Sequence, residues 1–225
     1  MKSTNKHDTV IVKKPWGYEY LAYKNSVMGL WVLHINEGER TSMHCHPSKT
    51  TGLVVVGGEA EINFISDSKN IVAPGKQMIR RGLFHQTYAI TDVVMLEAET
   101  PVDKDDLVRL HDNYGRENSA YENSNYEIPK NEDCIWIENP VGGEINVYKF
   151  GSTICHVLNP NETPIIKYKQ NDLVMVLQGG LYKNIDGRIH EVVVPGDVGL
   201  VSVVERVSKE MDGYREDTIL MYFKA

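Results

Sequence analysis

Three histidines carry the strongest chemical signal in the chain: His44 and His46, separated by Cys45, and His85 further on. Residues two apart on a strand point the same way, so His44 and His46 share a face while Cys45 turns to the other. His85 follows the Gly82-Leu83-Phe84 turn, and a neighbouring strand of a small barrel brings it to the first pair. Three imidazole nitrogens suit a divalent transition metal such as Zn, Fe, Mn, Ni or Co and leave positions open for water or substrate. Such an ion, held by His44, His46 and His85, is the expected cofactor. Arg40 has the parity of His44 and points inward with it, and alternation lets one of Arg80 and Arg81 do the same. Lys49 stands beside the metal strand, where it can close over the mouth. Arg40, Lys49, Arg80 and Arg81 are thus the expected substrate-binding cations for an anionic group. Glu97 and Glu99 share one face of Val93–Thr100 and are the expected catalytic carboxylates, either able to serve as a general base.

Holding these side chains requires strands, and the chain is rich in strand signals. Short apolar or β-branched runs recur at Thr9–Val12, Gly29–Ile35, Leu53–Val56, Ala60–Ile65, Val93–Glu97, Glu144–Phe150, Leu173–Leu177, Glu191–Val194 and Thr218–Phe223. Gly-Gly, Pro-Gly and Asp-Gly pairs punctuate them, which predicts an all-β protein built as a sandwich or barrel. The stretch after Asp112 is rich in Asn, Glu, Ser and Tyr and lacks alternation, so a linker is expected at 116–133. It divides a metal-binding barrel at 1–115 from a second barrel at 134–225. LVVVGG at 53–58 echoes LVMVLQGG at 173–180, and APG at 73–75 echoes VPG at 194–196, a pattern that fits a duplicated unit.

Composition removes several function classes. The chain has 225 residues and a formal net charge of −7, so a broad electrostatic footprint for nucleic acid or an anionic membrane is not expected. Its apolar runs fall far short of the roughly 20 residues needed to span a bilayer. The N-terminal MKSTNKHDTVIVKKPWG has no apolar stretch of a secretory signal, so a cytoplasmic location is expected. Three widely spaced cysteines, Cys45, Cys134 and Cys155, form neither a disulfide framework nor a thiolate zinc site.

The segment Gly38…His44-Cys45-His46…Gly58, followed by Gly75, Gly82 and His85, resembles the two sequence motifs of the cupin superfamily. Thr51 stands where the first motif has a glutamate, and Arg80 where the second has a proline. The resemblance implies tandem double-stranded β-helix barrels, a bicupin, with a three-histidine metal site. A narrower likeness covers residues 11–118. Lys14-Pro15-Trp16-Gly17-Tyr18-Glu19 and Asp105–Arg116 are similar to cupins of the type II phosphomannose isomerase kind, whose Gln-x-His pair aligns on His44-Cys45-His46. In the second half Lys167 and Lys169 fall near the place of the histidine pair, and Arg206 near that of the third histidine. Ammonium and guanidinium groups have no free lone pair, so the second barrel is expected to be degenerate and metal-free.

The resemblance implies a metal-dependent isomerase or epimerase acting on a phosphorylated or nucleotide-linked sugar in surface-carbohydrate biosynthesis, working as a homodimer. Two alternatives stand beside it: an Fe(II)-dependent three-histidine oxygenase, and a non-catalytic sugar-binding bicupin.

Overall fold

Runs of Val, Ile and Leu bounded by Gly, Pro and Asn fold as strands along nearly the whole chain. A computed structural model of the protein describes residues 7–116, 126–130, 134–163 and 167–224. The first half holds β1 (Ile11–Lys14), β2 (Gly17–Lys24), β3 (Gly29–Ile35), β4 (Met43–Cys45), β5 (Thr50–Gly57), β6 (Glu59–Phe64), β7 (Ser68–Val72), β8 (Gly75–Ile79), β9 (His85–Ala89), β10 (Val93–Thr100), β11 (Val108–His111) and β12 (Tyr126–Glu127). They form a seven-stranded sheet in the order β12-β1-β2-β3-β10-β5-β8 and a five-stranded sheet in the order β11-β4-β9-β6-β7. The second half holds β13 (Asn146–Phe150), β14 (Thr153–Leu158), β15 (Leu173–Gln178), β16 (Leu181–Ile185), β17 (Arg188–Val193), β18 (Val198–Leu200), α1 (Val201–Ser208), β19 (Gly213–Tyr214) and β20 (Ile219–Lys224). Its sheets have five strands, β13-β14-β20-β15-β18, and three, β17-β16-β19. The protein is all-β, two double-stranded β-helix barrels in tandem.

The seven-stranded sheet is buried on both faces, which is why Leu53–Val56 reads as a continuous apolar run instead of an alternating one. One face, with Trp31, Leu33, Leu53, Val55 and Met95, meets Ala60, Ile62 and Ala89 of the five-stranded sheet and forms the lumen of the first barrel. The other, with Leu30, Val32, Val54, Val56 and Leu96, packs on Val157, Leu173, Met175, Met221 and Phe223 of the second half. Each such side chain contributes about 1.5–3 kcal/mol on full burial, so the two halves share one continuous apolar layer. Gly58 closes the turn after β5 at φ +79°, and a Cβ there would sit 2.1 Å from the Asp92 carbonyl oxygen. That close approach explains the glycine at the end of the first motif.

Within the segment 116–133, residues 117–125 and 131–133 lie outside the described residues, while β12 adds an edge strand to the first sheet by pairing with β1. Helix α1 is unforeseen in the sequence. Its Val201, Val204 and Val207 pack on Val174, Val176 and Leu220. β-Branched residues disfavour isolated helices, and here the burial of one stripe overrides that propensity.

Candidate metal centre

The local register assembles the histidines. β4 lies between β11 and β9, and His44 is directly opposite Arg109 on one side and His85 on the other. Opposed residues of an antiparallel pair project to the same face, so the three side chains stand in a row on the lumen side. Alternation adds His46 from just beyond the end of β4. One ring nitrogen of each of His44, His46 and His85 lies within 4.8 Å of the other two.

Backbone carbonyls fix which nitrogen that is. His44 Nδ1 is 2.8 Å from the Ser42 oxygen, His46 Nδ1 is 2.7 Å from that of Asp106, and His85 Nδ1 is 3.1 Å from that of Leu83. A carbonyl oxygen only accepts, so each Nδ1 carries the proton and donates it, leaving Nε2 with its lone pair. His46 Nε2 is buried and has no hydrogen-bond partner. Burial pushes the imidazole pKa values down, that of His46 to about 2 and that of His85 to about 4. His44 is lowered well below 6.5, by burial first and then by the neighbouring imidazoles of His85 and His46. The rings are therefore neutral at physiological pH. Neutral, convergent imidazoles oriented by backbone carbonyls fit a divalent transition ion.

Beside His44 and His46, and not reaching His85, a cavity of about 480 Å³, counted with the space open to solvent, is lined by Trp16, Leu33 and Leu107 on apolar walls. Its polar lining comes from His44, His46, Lys49, Glu97 and, beyond the expected set, Lys14, Glu19, Lys104, Arg109 and Arg116. Lys49 is buried, donates to the Asp103 carbonyl at 2.8 Å and pairs with Glu99 at 2.5 Å. Glu99 is fully buried, also accepts from the Trp31 indole, and does not line the cavity. Glu97 does line it, with Oε1 4.0 Å from His46 Nε2. Burial raises the Glu97 pKa, and the Lys104 charge works against that rise. Lys104 sits 3.8 Å from the centre of the Trp31 ring, 3.5 Å from Glu19 and 3.7 Å from Glu99. Burial opposes its charge, but Glu19, Glu99 and Glu97 together outweigh burial and hold the ammonium above the ordinary lysine range.

The arginines are distributed differently from the expectation. Arg40 lies 4.6 Å over the Tyr88 ring and does not line the cavity. The chain before β4 makes only an isolated bridge at Arg40, so the alternation of His44 does not extend back to it. Arg80 and Arg81 are exposed, because β8 ends at Ile79 and the pair lies in a turn closed by Leu83 N–H on the Arg80 carbonyl. Arg109 and Arg116 stand at the cavity instead, Arg116 joined to Asp112 at 2.6 Å. Their signal in the sequence was the pairing of β11 with β4, which strand propensity in the charged DLVRLHDNYGR does not reveal. Glu19 is hidden inside the KPWGYE segment, where nothing fixes which face of β2 turns to the lumen.

Among the described residues no second group of three or more metal-ligating side chains is found. Lys167, Lys169 and Arg206 are exposed, and Arg206 belongs to α1. No helix among the described residues is long and apolar enough to cross a membrane.

No family model matches the chain, and no curated protein matches it. An RmlC-like cupin from Shewanella frigidimarina is 17% identical over 47% of this chain and 95% of its own, with a TM-score of 0.40. The capsular polysaccharide assembling protein CapF from Staphylococcus aureus is 19% identical over 45% of this chain and 34% of its own, at 0.41. KdgF from Halomonas sp. is 14% identical over 41% of this chain and 86% of its own, at 0.39.

Proposed function

We propose that the first barrel is a metal-dependent isomerase or epimerase site for a small sugar bearing a phosphate or a nucleotide. The observation that carries the reading is the cluster of three neutral histidines, two of which, His44 and His46, line a cavity that also presents lysines and arginines. A divalent ion bound there supplies Lewis-acid polarisation of a carbonyl or hydroxyl oxygen. The chain's own residues divide the remaining work. Lys49 and Lys104, each anchored by carboxylates, hold positive charge at the cavity wall. Arg109 and Arg116 extend that charge toward the mouth and suit the oxygens of a phosphate. Trp16 and Leu107 offer apolar surface to a sugar ring. Moving a proton between adjacent carbons requires a carboxylate at the wall, and Glu19 and Glu97 are there, Glu99 being taken up by Lys49 and Trp31.

Solvent-proton exchange tests the reading. Metal-loaded protein in heavy water is expected to place deuterium on carbon in at least one member of a broad panel of sugar phosphates and sugar nucleotides. A panel that stays free of deuterium with every metal in the donor-compatible series removes the isomerase and epimerase assignment.

A further inference from the structure

The first cupin-like motif lacks its carboxylate: Thr51 fills that position, fully buried, with its hydroxyl unpartnered. A neutral hydroxyl adds no charge to three neutral imidazoles, so a divalent ion bound to the histidines alone keeps its full charge in a largely buried site. The lumen face of β10, next to β5 in the sheet, carries two carboxylates instead. Glu99 is directly opposite Thr51, and Glu97 is opposite Leu53, two residues further along. Glu99 is consumed by Trp31 and Lys49.

Glu97 differs in three respects. Its carboxylate lines the cavity. Among the described residues no ammonium or guanidinium comes within salt-bridge distance of it, whereas Glu19 and Glu99 each have a lysine there. Its Oε1 lies 4.0 Å from His46 Nε2, the buried nitrogen that has no hydrogen-bond partner. Ligand atoms bound about 2.1 Å from a shared ion are about 3.0–4.2 Å apart, from a right-angle to a trans arrangement. The Glu97–His46 separation falls in that span, while the cluster that already converges within 4.8 Å holds the three histidines alone, so ligation by Glu97 requires its carboxylate to turn toward His44 and His85.

We propose that Glu97 is a fourth protein ligand of the ion, a carboxylate supplied from β10 in place of the one missing from β5. The inference rests on the three-histidine metal reading and deepens it. It converts a neutral donor set into one carrying a negative charge, and leaves Glu19 as the cavity carboxylate for proton transfer.

Co(II) titration of metal-stripped protein separates this from the parent reading. Glu97→Gln is expected to weaken Co(II) binding by at least about 10-fold and to change the visible absorption of the bound ion, while Glu144→Gln, at an exposed position of the second half, alters neither. An unchanged affinity and spectrum in Glu97→Gln, with binding abolished in His44→Ala, overturns the proposal and leaves the three-histidine site standing. Stoichiometric binding that survives His44→Ala overturns the metal reading itself. Because Glu97 is buried and its replacement can disturb folding, the wild-type protein crystallised with Zn(II) gives a second readout. A Glu97 oxygen within about 2.4 Å of the ion upholds the proposal, and one beyond about 3.5 Å overturns it.

Discussion

The two barrels of this chain use one architecture for opposite ends. The first has sheets of seven and five strands around a lumen that is apolar at one end and holds imidazoles, lysines and carboxylates at the other. The second has sheets of five and three strands, and α1 fills its interior with Val201 and Val204 against Val174, Val176 and Leu220. A polar lumen costs stability because each buried charge must be partnered, and the Lys49–Glu99 and Lys104–Glu19 pairs with the three carbonyl-bound histidines meet that requirement. In the second half Asp172 is buried next to α1 and accepts from the Lys169 N–H at 2.9 Å. The opposite face of its five-stranded sheet, with Val157, Leu173, Met175, Met221 and Phe223, packs on the outer face of the first sheet.

Substitutions can break that contrast. The largest effect is expected for His44→Ala or His85→Ala, each lowering Zn(II) affinity by more than about 100-fold in calorimetric titration. Arg206→Ala in the second half leaves Zn(II) affinity unchanged. Equal losses from both halves would erase the division of roles. Leu220→Ala, in the packed second interior, is expected to cost about 2–5 kcal/mol in urea unfolding through the cavity it leaves. Zn(II) affinity measured well below the unfolding transition should stay the same.

The metal-free protein should also lose stability in mild acid through its first barrel. His85 titrates near 4 when folded, against an ordinary 6.5, because it is buried. Between those values the unfolded chain binds a proton that the folded chain refuses, so stability falls as pH drops through that window. The loss is about 1.4 kcal/mol per pH unit for each histidine so held. His85→Gln is expected to flatten the slope by one proton's worth, read from unfolding at a series of pH values. An unaltered slope would mean that His85 is not held neutral. The smallest effect belongs to the exposed turn. Arg80→Ala and Arg81→Ala should change stability by no more than about 0.5 kcal/mol and should leave Zn(II) binding intact.

Much of this was legible in the residues. The HxH pair and the glycine-flanked His85 specified the three-histidine cluster, because alternation on one short strand and a tight turn are local properties. Runs such as Gly29–Ile35 and Leu173–Leu177 announced the β architecture for the same reason. Arg109 was not legible as a cavity residue, since its place depends on β11 lying against β4, a pairing distant in sequence; Glu19 sits on β2, in a local hairpin with β3, and nothing in KPWGYE fixes which face of that strand turns to the lumen. Arg40 misled because parity counted back from His44 passes through residues that are not a continuous strand. Helix α1 was hidden by its valines, whose local preference is for strands and whose helical stripe is stabilised only by the sheet beneath.

Counting ions per chain by native mass spectrometry tests the central claim most directly. The account predicts a single transition ion on the wild-type protein after loading, and none on the variant with His44, His46 and His85 all replaced by alanine. A wild-type chain that takes no ion, or a triple variant that keeps one, contradicts it.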